Sequence, residues 1–277
     1  MSRWVALGAT IADESRPRVM GIVNVTPDSF SDGGRATTVD LALALAGRLI
    51  AEGADLLDIG GESSRPGAAI VPVAEELARV IPVIEAIRAV HAVPISVDTT
   101  KPEVARRALA AGASVINDIR GLDDPGLAEI VAGSTAGVVL MHMQGTPQTM
   151  QDDPRYDDVV GEVVADLARR VELAERLGIS RDRIAVDPGI GFGKTHDHNL
   201  ALLRHLEEFR AIGCAVLIGT SRKGFLGRLT GRARADRAVA SAVSALAAAA
   251  AGARIVRVHD VAPTVDALRV WEAQRGW

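Results

Sequence analysis

The chain has 277 residues, 48% of them hydrophobic, and a formal net charge of -4 at pH 7; it can bury a large core but offers no general surface for nucleic acid, so any cationic site must be local. Its one cysteine, Cys214, excludes a disulfide framework and, inside an apolar run, reads as a small buried hydrophobe in a reducing cytoplasm. The opening stretch MSRWVALGAT is too short and too interrupted for a signal peptide, which sets secretion aside.

Residues 1–17 read as an N-terminal extension. From there, short β-branched runs alternate with alanine-rich segments whose apolar residues recur every three to four positions, the alternation of a parallel sheet or barrel. In chain order the strand candidates are RVMGIVNV (18–25), DLLDIG (55–60), VPISVD (93–98), ASVINDI (113–119), GVVLMHM (137–143), RIAVDP (183–188), AVLIGT (215–220) and RIVRVH (254–259). Between them lie amphipathic segments such as VDLALALAGRLIAEGA, PVAEELARVIPVIEAIRAV and PEVARRALAAGA, several closing on glycine as helix ends prefer. Eight strands with helical crossovers predict one α/β domain over 1–277, a (β/α)8 barrel with no linker dividing it. The run AVASAVSALAAAAAGA is the segment to test as a membrane span. Alanine is only weakly apolar and Arg237 and Arg254 flank it, so it reads as a helix in water, and no membrane partner is expected.

Polar residues fall in phase with the strands. Near the carboxyl ends stand Asn24, Asp58 with Glu62 beyond it, Asp98, Asn117, His142, Asp187, Ser221, and Arg257 with His259. Ordinary loop polarity explains any one of them; strand after strand delivering one to the same rim predicts a convergent site at the C-terminal mouth of the barrel. Asp98, Asn117 and Asp187 come from three strands and suit a flat heterocycle with donors and acceptors along its edge. A carboxylate accepts paired N–H bonds, and an asparagine offers one donor and one acceptor. Each aspartate also suits a helix N-cap, since DTTKPE and DPGIGFGK precede loops or helices.

Arg257 and His259 alternate with Val258 and so share a face, where together they suit a phosphate. In GTSRKGFLG, Arg222 and Lys223 stand side by side after a buried run with no carboxylate in the local sequence, so their anion is expected to be a ligand; Lys223 is a further donor for the heterocycle. NVTPDSFSDGG, with its aromatic Phe30, reads as a lid. GGESSRPG, with Arg65, has the composition to wrap an anion. Neither a P-loop nor the dinucleotide glycine spacing is present.

The segments MGIVNVTPDSFSDGG, DIGGESSRPGA, SVDTTKPEV, INDIRG, LMHMQGTPQTM, DPGIGFGK, GTSRKGFLG and RVHDV, in this order over nearly the whole chain, resemble the motifs of the dihydropteroate synthase family. The resemblance implies a TIM-type barrel, typically homodimeric. Its reaction joins 7,8-dihydropterin-6-ylmethyl diphosphate to 4-aminobenzoate, giving 7,8-dihydropteroate and diphosphate in folate biosynthesis. It implies Asp98, Asn117, Asp187, Gly219 and Lys223 at the pterin edge, with Met141 and Phe192 as walls. It implies Asn24, Ser64, Arg65, Arg257 and His259 at the diphosphate, Asn24 also through Mg2+. Ser64, Arg65, Pro66, Phe192, Ser221 and Arg222 would shape the 4-aminobenzoate pocket, with the carboxylate near Ser221 and the next helix N-terminus. Thr26, Asp28, Phe30 and Ser31 would belong to the lid. The implied mechanism is dissociative, with Asp98, Asp187, Lys223, Arg257 and His259 as its catalytic groups and no enzyme nucleophile.

Two positions depart from the family pattern: Ser64 where threonine is usual, and Gly224 where serine or arginine is usual, which leaves both sensitivity and resistance to sulfonamides open. Two other readings stay beside this one, a pterin-binding methyltransferase barrel and a barrel that binds pterin without turnover. The small-residue run RAVASAVSALAAAAAGA suits close packing on its own barrel or a dimer interface, and the resemblance favours the homodimer.

Overall fold

The computed structural model describes residues 3–26 and 35–275. The β-branched runs become strands and the alanine-rich segments the crossovers. In chain order these are β3 (Arg18–Asn24), α1 (Arg35–Ala51), β4 (Leu56–Gly60), α2 (Val73–Val90), β5 (Ile95–Asp98), α3 (Pro102–Ala110), β6 (Val115–Asp118), α4 (Pro125–Ala132), β7 (Gly137–Met141), α5 (Val159–Arg176), β8 (Ile184–Asp187), α6 (His196–Arg204), β9 (Ala215–Ile218), α7 (Gly224–Thr230), α8 (Ala238–Ala250), β10 (Ile255–Val258) and α9 (Val261–Arg275). The eight strands close into a parallel barrel in the order β10-β3-β4-β5-β6-β7-β8-β9. They are apolar nearly throughout because helices cover one face and the barrel interior the other; β4 and β7 are buried at every residue. Helix starts are set locally: Asp124 accepts the N–H groups of Gly126 and Leu127 ahead of α4, and Thr195 forms a capping box with His198 on α6.

Register fixes where the polar residues stand. Asn24 pairs with Gly60, Gly60 with Asp98, and Asp98 with Asn117, so four adjacent strands present one level at the mouth. Two residues down, and therefore on the same face, Ile22, Asp58 and Ser96 form the level beneath.

The described part of the N-terminal extension is folded. It forms a hairpin, β1 (Trp4–Ala6) with β2 (Ala9–Ala12), turning at Leu7 and Gly8, whose φ values of 51° and 76° are the pair of positive angles a type I′ turn needs. Trp4 is fully buried and clusters with Met20, Leu56, Val115, Val139 and Leu217, closing the barrel at the end opposite the mouth. Its indole N–H donates to the Arg183 carbonyl at 3.0 Å. Among the described residues no helix is long and apolar enough to cross a membrane; the alanine run is the 13-residue α8.

Trp4→Ala is expected to destabilise the fold by about 3–5 kcal/mol, the cost of emptying a large aromatic site. Urea unfolding would measure it, and ligand affinity at the far end of the barrel should be unchanged.

Candidate active site

The mouth of the barrel opens into a pocket of about 730 Å3, lined from the ends of the strands and the loops that follow them. Its floor is a charge relay. Asp58, fully buried on β4, accepts the Arg257 Nε–H at 2.6 Å and the Asn117 amide at 3.2 Å. The same guanidinium donates through Nη2 to Asp98 at 2.9 Å. Burial works against the Arg257 charge, but Asp58 and Asp98 more than offset it and hold its pKa above the ordinary value. Burial raises Asp98 to about 7 despite the opposing Arg257.

Met141, Phe192, Asp98, Asn117, Asp187 and Lys223 line the same pocket and form what we call the slot. Burial raises Asp187, opposed by the Gly189 N–H that its carboxylate accepts at 2.7 Å. That bond closes a local turn and caps no helix, since α6 begins only at His196 with Thr195 as its N-cap, so the N-cap reading of Asp187 needs correction. Lys223 Nζ lies 3.9 Å from the centre of the Phe192 ring, and burial lowers its pKa to about 8 against the pull of Asp187. A lysine held this way is charged at neutral pH yet thinly hydrated, a strong donor to a bound ligand.

The expectation of two unpaired cations in GTSRKGFLG needs correction. Arg222 is paired by both Nε (2.9 Å) and Nη2 (2.5 Å) with Asp260, 38 residues downstream. Arg222 has a φ of 57°, a left-handed conformation costing a non-glycine residue about 1–2 kcal/mol. His259 also differs from a simple cation. Burial first, and the nearby Arg257 and Arg222, lower its pKa to about 3, so it is a neutral imidazole whose Nδ1 and main-chain N–H both meet Ser221 Oγ at 3.0 Å.

His142 is buried and is not among the residues that line the pocket. Its Nδ1 meets Lys194 Nζ at 2.9 Å beneath the surface, where burial lowers the lysine to about 7 and the imidazole to about 3. Glu62 anchors the loop after β4: one oxygen accepts the Val71 N–H at 3.0 Å, the other shares the Lys101 ammonium with buried Glu76.

Asn24, Thr26, Ser64, Arg65, Pro66, Gly219, Ser221, Arg222, Arg257 and His259 all line the same pocket as the slot residues. Asp28, Phe30 and Ser31 lie outside the described residues. Sequence reasoning gave no role to Asp58 beyond its strand end and none to Asp260 or Lys194. Only the phase of Asp58, two residues before Gly60, hinted at its inward aim.

A closed parallel barrel with its ionisable groups gathered at the carboxyl ends of the strands has the architecture of a (β/α)8 enzyme. The family model described as pterin binding enzyme matches residues 20–259. Dihydropteroate synthase of Escherichia coli (strain K12) is 50% identical over 264 residues, 95% of this chain and 94% of that protein. The structure of Xanthomonas albilineans dihydropteroate synthase with 4-aminobenzoic acid is 55% identical with a TM-score of 0.91, covering 97% of this chain and 96% of that one. The Yersinia pestis enzyme in a sulfonamide drug complex is 46% identical with a TM-score of 0.93, covering 99% and 100%. The chain therefore belongs to the dihydropteroate synthase family of pterin-binding enzymes.

Asp58→Ala leaves the buried Arg257 short of one counter-ion, and the expected cost is about 3–5 kcal/mol of stability. A lower urea midpoint at unchanged slope would register it.

Proposed function

We propose that the chain condenses 7,8-dihydropterin-6-ylmethyl diphosphate with 4-aminobenzoate, forming 7,8-dihydropteroate and diphosphate in folate biosynthesis. The observation that carries this reading is the set of groups gathered in one pocket: two carboxylates and an amide from three strands, with a lysine whose pKa burial lowers to about 8, line it together with Phe192 and Met141. Asp98 and Asp187 accept the pterin N–H groups, Asn117 donates and accepts, and Lys223 donates to a ring acceptor.

In the reaction the exocyclic C–O bond breaks, its electron pair leaves on the diphosphate, and a cation delocalised into the pterin remains at the methylene. The arylamine lone pair closes the new C–N bond, and the amine then loses a proton. No enzyme nucleophile takes part. Asp98 and Asp187 stabilise the cation as it forms. Arg257 meets the leaving group with a fixed charge; neutral His259 meets it with Nε2–H when Nδ1 accepts from Ser221. Ser64, Arg65, Pro66, Ser221 and Arg222 surround the aminobenzoate, and Thr26, Asp28, Phe30 and Ser31 belong to a lid that excludes water from the cation.

Among the described residues no three His, Cys, Asp or Glu side chains gather as a metal site. The lone amide oxygen of Asn24 at the rim fits Mg2+ that takes its other ligands from diphosphate and water. When bound, the ion supplies charge neutralisation for the leaving group.

A sulfonamide fits the aminobenzoate side of the pocket. There Gly224 leaves the edge open, a Cβ at that position meeting nothing within 4 Å. We also propose a two-fold homodimer through α8: Ala242, Ala245, Ala248 and Ala249 pack inward, while Val239 and Val243 are 74% and 59% exposed on the outward side. A cytoplasmic setting agrees with the buried Cys214, whose thiol burial pushes up to about 12.

Diphosphate release from the pterin substrate, with magnesium, is expected to depend on 4-aminobenzoate and to match dihydropteroate formed; sulfamethoxazole should compete with the aminobenzoate only. Tight pterin binding without amine-dependent release would move the reading to a non-catalytic barrel or a partner-dependent methyltransferase. The kcat/KM for the pterin substrate should be bell-shaped, falling below about pH 7 as Asp98 gains a proton and above about pH 8 as Lys223 loses one. Asp98→Asn should lower that kcat/KM by at least about tenfold while preserving the fold. Light scattering at micromolar concentration should give twice the 29.0 kDa chain mass, and Val243→Glu should halve it.

A further inference from the structure

The segment between β9 and α7 is held against its own backbone preference by three residues at once. Asp260, just past β10, grips the Arg222 guanidinium through both carboxylate oxygens. Ser241 of α8, fully buried, accepts the Arg222 main-chain N–H at 2.9 Å and donates to the Arg237 carbonyl at 2.7 Å. Arg237 in turn donates to the carbonyls of Arg222 and Lys223, each at 3.2 Å.

Residues two apart on an extended chain share a face. Here the left-handed Arg222 stands between Ser221 and Lys223 and divides them, Ser221 towards His259 and Lys223 over Phe192. Strain of this kind persists only where the surroundings over-determine it. Neither Asp260 nor Ser241 lines the pocket; both act through Arg222.

We infer that Asp260 is a positioning residue for the second substrate: by holding Arg222 in its left-handed conformation, it fixes Ser221 and Arg222 around the arylamine carboxylate. This rests on the synthase reading above. The effect is confined to one substrate because Lys223 has restraints of its own in the Phe192 ring and the field of Asp187, whereas the Arg222 guanidinium is held, among the described residues, by Asp260. Freed of that grip, Arg222 relaxes to an ordinary conformation and the arylamine end of the segment moves first.

The test is steady-state kinetics on Asp260→Asn and Ser241→Ala in the full chain, with both substrates varied. The KM for 4-aminobenzoate is expected to rise roughly 5- to 30-fold in Asp260→Asn and to rise, by less, in Ser241→Ala. In both, kcat and the KM for the pterin substrate should stay within about twofold, and the inhibition constant of sulfamethoxazole should rise in parallel with the arylamine KM. In an Arg222→Gly background, Asp260→Asn should add nothing further, as for two residues acting through one contact. An arylamine KM unchanged in the folded variants overturns the assignment, as does an equal rise for both substrates, the mark of general loosening. If Asp260→Asn does not fold, Ser241→Ala decides alone. Wild-type amine-dependent turnover is the control. Its absence defeats the synthase reading, while its presence with an unchanged arylamine KM defeats only the role of Asp260.

Discussion

One guanidinium between two buried carboxylates organises the mouth of this barrel. Arg257 comes from β10 and reaches past β3 to Asp58 on β4 and Asp98 on β5, and Asp58 also holds Asn117 of β6. Two carboxylates at this burial would repel each other without a cation between them. A planar fork can serve both at once, which an ammonium on a flexible stem does less well. The link runs across five neighbouring strands, so side-chain placement at the rim is set by the same closure that makes the barrel.

That arrangement also decides how the charges of the mouth are already shared before a ligand arrives. Arg222 is committed to Asp260 and Arg257 to its two aspartates, while His259 is neutral and bonded to Ser221. The pocket therefore offers directed hydrogen bonds on the heterocycle side, from groups whose desolvation makes their protonation state matter. In the proposed reaction this is an advantage. A cation that forms and disappears within the slot is best met by carboxylates already fixed in place, because no reorganisation is then needed as charge develops.

The eight strands were legible because parallel strands buried on both faces read as unbroken apolar runs, most of them with a polar residue at or near the carboxyl end. The convergence of Asp98, Asn117 and Asp187 followed from strand phase alone. What was not legible depends on pairings between distant segments. Arg222 looked free because Asp260 lies 38 residues on, just past β10, and His142 had the position of a rim residue but is buried against Lys194. The hairpin was hidden by Leu7, since a leucine at positive φ is not the residue that announces a type I′ turn. The electrostatic state of His259 was out of reach for the same reason: it depends on burial and on arginines from other segments, neither of which a local motif contains.

The glycines of DPGIGFGK show how such a motif acquires its spacing without binding a nucleotide. A Cβ on Gly189 would lie 2.0 Å from the His142 carbonyl oxygen, and one on Gly193 would lie 2.5 Å from that of Gln144; both glycines have positive φ. The loop after β8 is thus pressed onto the loop after β7. Lys194 fastens the two by donating to the Phe192 carbonyl at 3.0 Å while meeting His142 Nδ1. Gly191 is held by Asn199 Oδ1, which accepts its N–H at 2.6 Å. Phe192 lies between these fixed points, so the ring beneath the Lys223 ammonium is a rigid wall. In the proposed reaction a wall fixed in this way restricts the shape of ligand the pocket accepts, and the carboxylates beside it add hydrogen-bond specificity.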